Sequence, residues 1–254
     1  MTHPFATRQI PFFLTAAAPC PYLPDRWERK VFTRIEIGEG PALNDALTHA
    51  GFRRSQGVLY RPACEACDAC KSVRVDAHHF DWKRRWRKIA KRNADLRVST
   101  DAITATMEQY ELLTRYLESR HGDGDMAGMS FGEYVMMVEE GAQRTHVTEY
   151  RDADGNLRAA ALTDVLKDGL SLIYSYFDPD QDRRSLGAYM ILDAVRQAEA
   201  AGLPFVYLGY WVEGSRKMTY KSSYQPLQVL TPSGWQAFDE LANHEREDET
   251  HEPD

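Results

Sequence analysis

Three cysteines stand at intervals of three residues in RPACEACDAC: Cys64, Cys67 and Cys70, in a chain whose one other cysteine is Cys20. Without an export signal at the start of the chain the expected compartment is a reducing cytoplasm. Clustered thiols there serve metal binding, redox chemistry or packing more often than disulfides. Arginines flank the cysteine loop, Arg53 and Arg54 in GFRRS on one side and Arg74 in SVRVD on the other. A guanidinium fork pairs bidentately with a carboxylate, so the three together are candidates for reading an acidic group. Downstream, Lys83, Arg84, Arg85, Arg87, Lys88, Lys91 and Arg92 form an acid-free run between Trp82 and Asn93. Like charges repel, and a phosphate backbone relieves that repulsion, so this segment points to a polyanion. Tyr174 and Tyr176 in SLIYSYF lie two residues apart, on one face of a strand. Lys217, Tyr220 and Lys221 in KMTYK follow the last long strand-like segment. His121, Asp123 and Asp125 cluster in RHGDGDM, a pattern that fits a helix cap and glycine-rich turn better than a proton relay.

The elements that must hold these residues follow from the hydrophobic pattern. At 254 residues and 43% hydrophobic content the chain suits one or two globular domains, and no apolar run of membrane-spanning length occurs. The net charge of -7 is concentrated in the tail DELANHEREDETHEPD; the rest of the chain is balanced, so acidity is not a property of the whole surface. Trp82, Trp86 and Ile89 fall at i, i+4 and i+7, which seats the basic segment as a helix with its cations outward. PALNDALTHAG reads as a helix stopped by Gly51, GVLYRP and KSVRVDA as strands, AITATMEQYELLTRYLESRH and FGEYVMMVEEG as helices. Three strands follow, RTHVTEYRD, LRAAALTDVLKD and LSLIYSYFDPD, joined by the turns ADGN and KDG. Then come the helix RRSLGAYMILDAVRQAEAAG and the strands PFVYLGYWV and PLQVL.

That order gives an α+β fold and resembles the GNAT-type N-acetyltransferases, whose central strands splay apart to admit an acyl donor. The expected organisation is a smaller N-terminal domain over 1–77 with all four cysteines, a GNAT-like catalytic domain over 78–240, and an acidic tail over 241–254, solvated and without order of its own. In the acetyltransferases the helix after the third strand opens with a glycine-rich pyrophosphate cradle. Here RRSLGAY keeps Gly187 and puts Tyr189 where Gly or Ala is expected, which implies a blocked loop and argues against coenzyme A.

Four motifs in order, CPYLPDRWER, GFRRSQGVLYRPACEACDACKSVRV, YSYFDPDQDRRSLGAY and VYLGYWVEGSRKMTYKSSYQPLQVL, resemble the aminoacyl-tRNA protein transferases of the N-degron pathway. CEACDAC, KRNADL and the compact length are similar to the bacterial branch, the aspartate/glutamate leucyltransferases. The resemblance implies an aminoacyltransferase that moves leucine from leucyl-tRNA to proteins beginning with Asp or Glu, marking them for degradation, with no membrane or DNA partner. Arginyl transfer, coenzyme A-dependent acetylation and a metal-stabilised RNA-binding module are the alternatives. No cofactor is required for the transfer itself. Eukaryotic relatives carry a CxxC and an adjacent cysteine pair linked to iron-sulfur or zinc binding; this chain keeps Cys20 and has Leu23 at the second position. Cys20, Cys64, Cys67 and Cys70 are then candidate thiolate ligands for zinc or a cluster, or small side chains lining a pocket. The reaction joins an α-amine, with a pKa of ~7.7 to 8, to an ester. It needs alignment, oxyanion donors and a proton route to the ribose rather than a strong base. Tyr174, Tyr176, Tyr220 and Lys221 are the catalytic candidates. Arg53, Arg54 and Arg74 are expected to bind the acidic acceptor, and the seven cations from Lys83 to Arg92, with Arg184 and Lys217, the tRNA.

Overall fold

The computed structural model describes residues 9–35, 40–101, 103–120, 126, 128–140 and 144–239. The acidic tail and His121, Asp123 and Asp125 lie outside the described residues. In chain order the elements are β1 (Phe13–Leu14), β2 (Ala18–Pro19), β3 (Trp27–Glu28), β4 (Lys30–Arg34), α1 (Gly40–His49), β5 (Arg53–Ser55), β6 (Val58–Pro62), β7 (Cys70–Asp76), α2 (Arg84–Arg92) and β8 (Arg97–Asp101). They continue with α3 (Met107–Arg120), α4 (Phe131–Glu139), β9 (Thr145–Arg151), β10 (Leu157–Val165), β11 (Gly169–Phe177), α5 (Leu186–Ala200), β12 (Phe205–Val212), β13 (Leu227–Thr231) and β14 (Gly234–Ala237).

Local chemistry sets most boundaries. Gly51 has φ +86 and receives the chain leaving α1, with Phe52 N donating to Leu47 O; a Cβ there would meet Leu230 at 2.7 Å, so the stop is also a close approach. Thr106 and Gln109 exchange side-chain and backbone hydrogen bonds at the start of α3, which opens that helix at Met107, five residues later than the apolar pattern alone places it. Ser130 and Glu133 do the same for α4. Asp152 accepts from the amides of Asp154 and Asn156 and closes the β9–β10 turn.

An eight-stranded sheet in the order β14-β13-β7-β12-β11-β10-β9-β8 is antiparallel at every junction except β11–β12, which is parallel. LSLIYSYF and PFVYLGYWV are thus neighbours, as the acyltransferase order required. Helix α5 packs with α2 against β7, β12 and β13 through Val73, Val75, Trp86, Leu192, Val206 and Leu227. Helices α3 and α4 cover β9, β10 and β11 through Leu113, Tyr134, Leu162 and Tyr176. The fold is α+β, with the order of helices and strands expected of the core. A second sheet, β1-β4-β6-β5, stands beside the large one.

The structure corrects the expected boundary at residue 77. Strand β7 lies inside the large sheet, pairing Val73 and Val75 with Gly209 and Val206 of β12 on one side and with Val229 and Leu227 of β13 on the other. The cysteine segment therefore leads straight into the large sheet. Its Val-Arg-Val core is almost wholly buried, which a central strand requires. Strand β8 was not anticipated; its pattern is polar and edge-like, and Val98 remains exposed.

Candidate active site

The parallel pair β11–β12 is joined only from Gly169–Phe205 to Ser171–Tyr207, after which the strands part. Both walls are irregular at the point of divergence. The register of β11 on β10 slips between Leu172 and Tyr174, leaving Ile173 as the extra residue, and the register of β12 on β7 slips between Tyr207 and Gly209. A bulge breaks the alternation of carbonyl directions along a strand. Leu172 O and Ile173 O accordingly both accept from Arg53 Nη2, at 3.1 and 2.7 Å. Arg53 enters from β5, in the smaller sheet, and lies across the gap. Its Nη1 rests on Gly209: a Cβ there would come within 1.5 Å of that nitrogen, and Gly209 holds φ +72. Only glycine fits both requirements.

Next along β12, Tyr210 O accepts from Lys221 Nζ. Lys221 is 6% exposed, on the short helical turn Thr219–Ser223. Burial, and then the charge of Arg53, push its ammonium down to about 7. Tyr220 on the same turn is half exposed; burial raises its hydroxyl while Arg53 opposes the rise, and Tyr116 of α3 stands near enough to contribute. Tyr174 is half-buried and held up at about 12 by burial, with its ring 6.4 Å from that of Tyr176. The two share a face, as expected. Tyr176 itself is sealed in the core, its hydroxyl 2.6 Å from that of Tyr134, which donates to Gln109. Its hydroxyl is thus placed in the core and not at the gap, against the expectation of a catalytic role.

The three arginines are not a set. Arg54 is fully buried, with Nε and Nη2 on the two oxygens of Asp164 at 2.6 and 2.7 Å, and Asn44 and Thr145 completing the carboxylate's partners. It latches the smaller sheet and α1 to β9 and β10. Arg74 is 6% exposed, its guanidinium 3.4 Å from the Phe205 ring centre and 4.3 Å from that of Trp235, and it donates to Gln228 and Tyr207. Both guanidiniums are already engaged by internal partners, Arg54 by Asp164 and Arg74 by Gln228, Tyr207 and Asp168, whose carboxylate lies 3.6 Å from it. Among the described residues no carboxylate pairs with Arg53.

Helix α2 forms where the pattern placed it. Trp86 and Ala90 are buried, Ile89 and Trp82 half-buried, and all seven cations exposed. Its two ends are fastened to the two flanks of the gap. At one end Arg85 donates to Ser223 O, and Trp86 stacks on Tyr224 at 4.6 Å, so the helix is tied to the turn of Lys221. At the other, Arg92 donates to Arg183 O and Asn93 to Arg184 O, in the turn that leads from β11 to α5. Among the described residues no carboxylate pairs with Arg84, Lys88 or Lys91, whereas Lys83 faces Asp81 at 3.5 Å. Arg184 is held bidentately by Asp95 at 2.9 and 2.8 Å, and Lys217 is exposed. Tyr189 is buried against Tyr150 at 5.7 Å, so its ring fills the core and does not block the start of α5 as the sequence implied.

The four thiols are all half-buried and line one cavity of about 450 Å³ together with Tyr22, Tyr60 and Tyr210. Burial and the three neighbouring thiols push Cys70 up to about 12. The donor set suits zinc or a cluster, but among the described residues no three Cys, His, Asp or Glu side chains converge closely enough to hold a metal ion. No helix among them is long and apolar enough to cross a membrane. Two contributors to the site were missed in the sequence, Tyr116 and Gly209. The second carried a signal: an isolated glycine inside the strand pattern VYLGYWV marks a bulge or a close backbone approach.

A family model described as Arginine-tRNA-protein transferase, N terminus, matches residues 18–88, and one described as Arginine-tRNA-protein transferase, C terminus, matches residues 108–231. The Aspartate/glutamate leucyltransferase of Maricaulis maris (strain MCS10) is 86% identical over 249 residues, covering 98% of this chain and 98% of the relative. That of Parvibaculum lavamentivorans is 54% identical over 237 residues, covering 93% and 98%. Among solved structures, a tandem GNAT protein from the clavulanic acid biosynthesis pathway matches with TM-score 0.40 and 14% identity, covering 84% of this chain and 59% of that one.

Proposed function

The chain belongs to the arginine-tRNA-protein transferase family, and on that premise we propose that it transfers leucine from leucyl-tRNA to the N-terminal amine of proteins beginning with Asp or Glu. One observation carries the reading beyond the names of its relatives. The exposed basic face of α2 is fastened to both flanks of the strand gap. A backbone of phosphates lying on α2 brings the tRNA's aminoacylated end to that gap, and counterion release supplies much of the affinity. Arg84, Lys88 and Lys91 are the cations best placed to serve it, since no internal carboxylate competes for them.

In this reading the ester enters between β11 and β12, where the parted strands leave backbone groups without strand partners. The acceptor amine attacks the ester carbonyl, the bond from that carbon to the ribose oxygen breaks, and an amide forms. One proton must leave the amine and one must reach the ribose oxygen. Lys221, neutral above about pH 7, takes the first, and the same proton returns to the leaving oxygen. Tyr220 offers a hydroxyl at the mouth of the gap for the carbonyl oxygen or the ribose, and Tyr174 shapes its floor. Arg53, which unlike Arg54 and Arg74 has no carboxylate partner among the described residues, faces the acceptor's side chain.

A panel of peptides differing only at the first residue, assayed with leucyl-, arginyl- and phenylalanyl-tRNA and weighed by mass spectrometry, tests this. The expected product is leucine on the Asp and Glu peptides alone. Acetylation from acetyl coenzyme A without tRNA, or transfer to Lys-initiated peptides, overturns it. Arginine on the acidic peptides keeps the mechanism and changes the donor.

A further inference from the structure

Arg53 and Lys221 come from different parts of the chain, yet they are seated on consecutive residues of one strand. Arg53 lies on Gly209, and Lys221 donates to the carbonyl of Tyr210. The charged and titratable groups around this corner are Arg53 from β5, Tyr220 from the same turn as Lys221, Tyr116 from α3, and Tyr22 and Tyr210, whose hydroxyls also feel Arg53. The hydroxyl of Tyr210 lies 3.0 Å from both Gly51 O and Tyr60 O and donates its one proton between them. No carboxylate of the described residues pairs with either cation. Among the described residues the Arg53 guanidinium bonds to two carbonyls and no carboxylate, so its charge acts on the buried amine beside it, adding to the larger effect of burial on that amine.

We propose that Arg53 is the specificity-determining residue of the reaction and couples recognition of the acceptor's carboxylate to proton transfer at Lys221. This rests on the leucyl-transfer reading above. With the gap empty, Arg53 disfavours a proton on Lys221. When the first residue of the acceptor brings a carboxylate onto Arg53, the pair is neutral and the share of the penalty on Lys221 that Arg53 imposes is lifted, while the larger share from burial stays. The amine of Lys221 then becomes a better proton acceptor at the moment an amine has to lose one. A neutral first residue loses twice: Arg53 is left without its anion, and Lys221 stays a poor acceptor. The direction is fixed by sign alone, because a nearby positive charge lowers a lysine and its neutralisation raises it.

Two measurements test this, and the first needs no activity. Lysine-selective labelling follows the titration of Lys221 by NMR in the full chain, alone and with a peptide beginning with Asp. The midpoint is expected near 7 without peptide, higher with the Asp peptide, and unmoved by the Asn peptide. In Arg53→Met it is raised without any peptide and the Asp peptide adds nothing further. A midpoint that ignores both the peptide and the substitution overturns the coupling, even if leucine transfer is found as expected. The second is kinetic. The acid limb of kcat/KM for the acceptor carries the ionisation of the free acceptor amine as well as that of the free enzyme; with the amine's ionisation measured separately and divided out, the enzyme's limb is expected at lower pH than that of kcat, which reports the complex. Arg53→Met brings the two together and lowers the Asp-over-Asn preference by at least about 100-fold, while Arg53→Lys restores part of the preference. Retained preference in Arg53→Met overturns the assignment. If no peptide is leucylated by the unmodified protein, the functional reading fails and the NMR result stands alone.

Discussion

Arg53 and Arg54 are neighbours on β5, and they show how differently one residue type behaves on two sides of a strand. On the Arg54 side, a guanidinium, a carboxylate, an amide and a hydroxyl satisfy one another with no exposed surface. On the Arg53 side, the same group meets two carbonyls, a glycine and a buried amine, and its charge is left unmatched. The first arrangement holds the two sheets together and has nothing left to offer a ligand. The second is less satisfied than folding alone would favour, and a site with an uncompensated charge is where an anion from outside can act.

The largest effect is expected on the sealed side. Arg54→Ala leaves Asp164 buried without its cation and should cost about 3–5 kcal/mol, read by chemical denaturation; Arg53→Met should cost no more than about 1 kcal/mol. If both variants lose stability equally, the contrast between the two sides is broken. Lys221→Met should lower kcat by about 100-fold or more and at the same time raise the melting temperature. The sign follows from linkage: a lysine held down at about 7 in the folded protein costs stability fully below that pH, and the cost fades as pH rises toward the ordinary lysine value. The gain in melting temperature is therefore expected to be largest at pH 6 and nearly absent above pH 10.

A smaller effect sharpens the picture at the mouth of the gap. Arg84→Glu with Lys88→Glu should weaken tRNA binding about tenfold or more and lower the salt slope by roughly two, with the far-ultraviolet circular dichroism unchanged. The smallest concerns the cavity: Cys67→Ser is expected to change stability by less than about 1 kcal/mol. Metal analysis of anaerobically purified protein is expected to be blank. One zinc or one cluster per chain, lost in that variant, would return the thiols to ligand chemistry.

Much of this was legible before any coordinates. The 3.6-residue period of Trp82, Trp86 and Ile89 set the face of α2, and the turn residues around Gly155 and Gly169 set the meander. Sequence spacing could not separate Arg53 from Arg54, since one residue of phase decides which side of a strand each occupies, and nothing local identifies Asp164, 110 residues away, as a partner. Tyr176 failed for the same reason. Its hydroxyl is spent on Tyr134, a contact made by helix packing rather than by any motif. Tyr189 shows the converse, where a position read as loop chemistry is decided by a ring packing inward.

Strand β7 lies between β12 and β13, although it is made long before either. As the chain leaves the ribosome, residues 70–76 emerge with both ladder edges unpaired and wait until residue 231 is out before the sheet can close. Contacts across so much sequence slow folding, and an edge rich in valine is sticky while it waits. A nascent chain stopped at residue 204 is thus expected to be captured by chaperones, whereas one released after residue 237 is not.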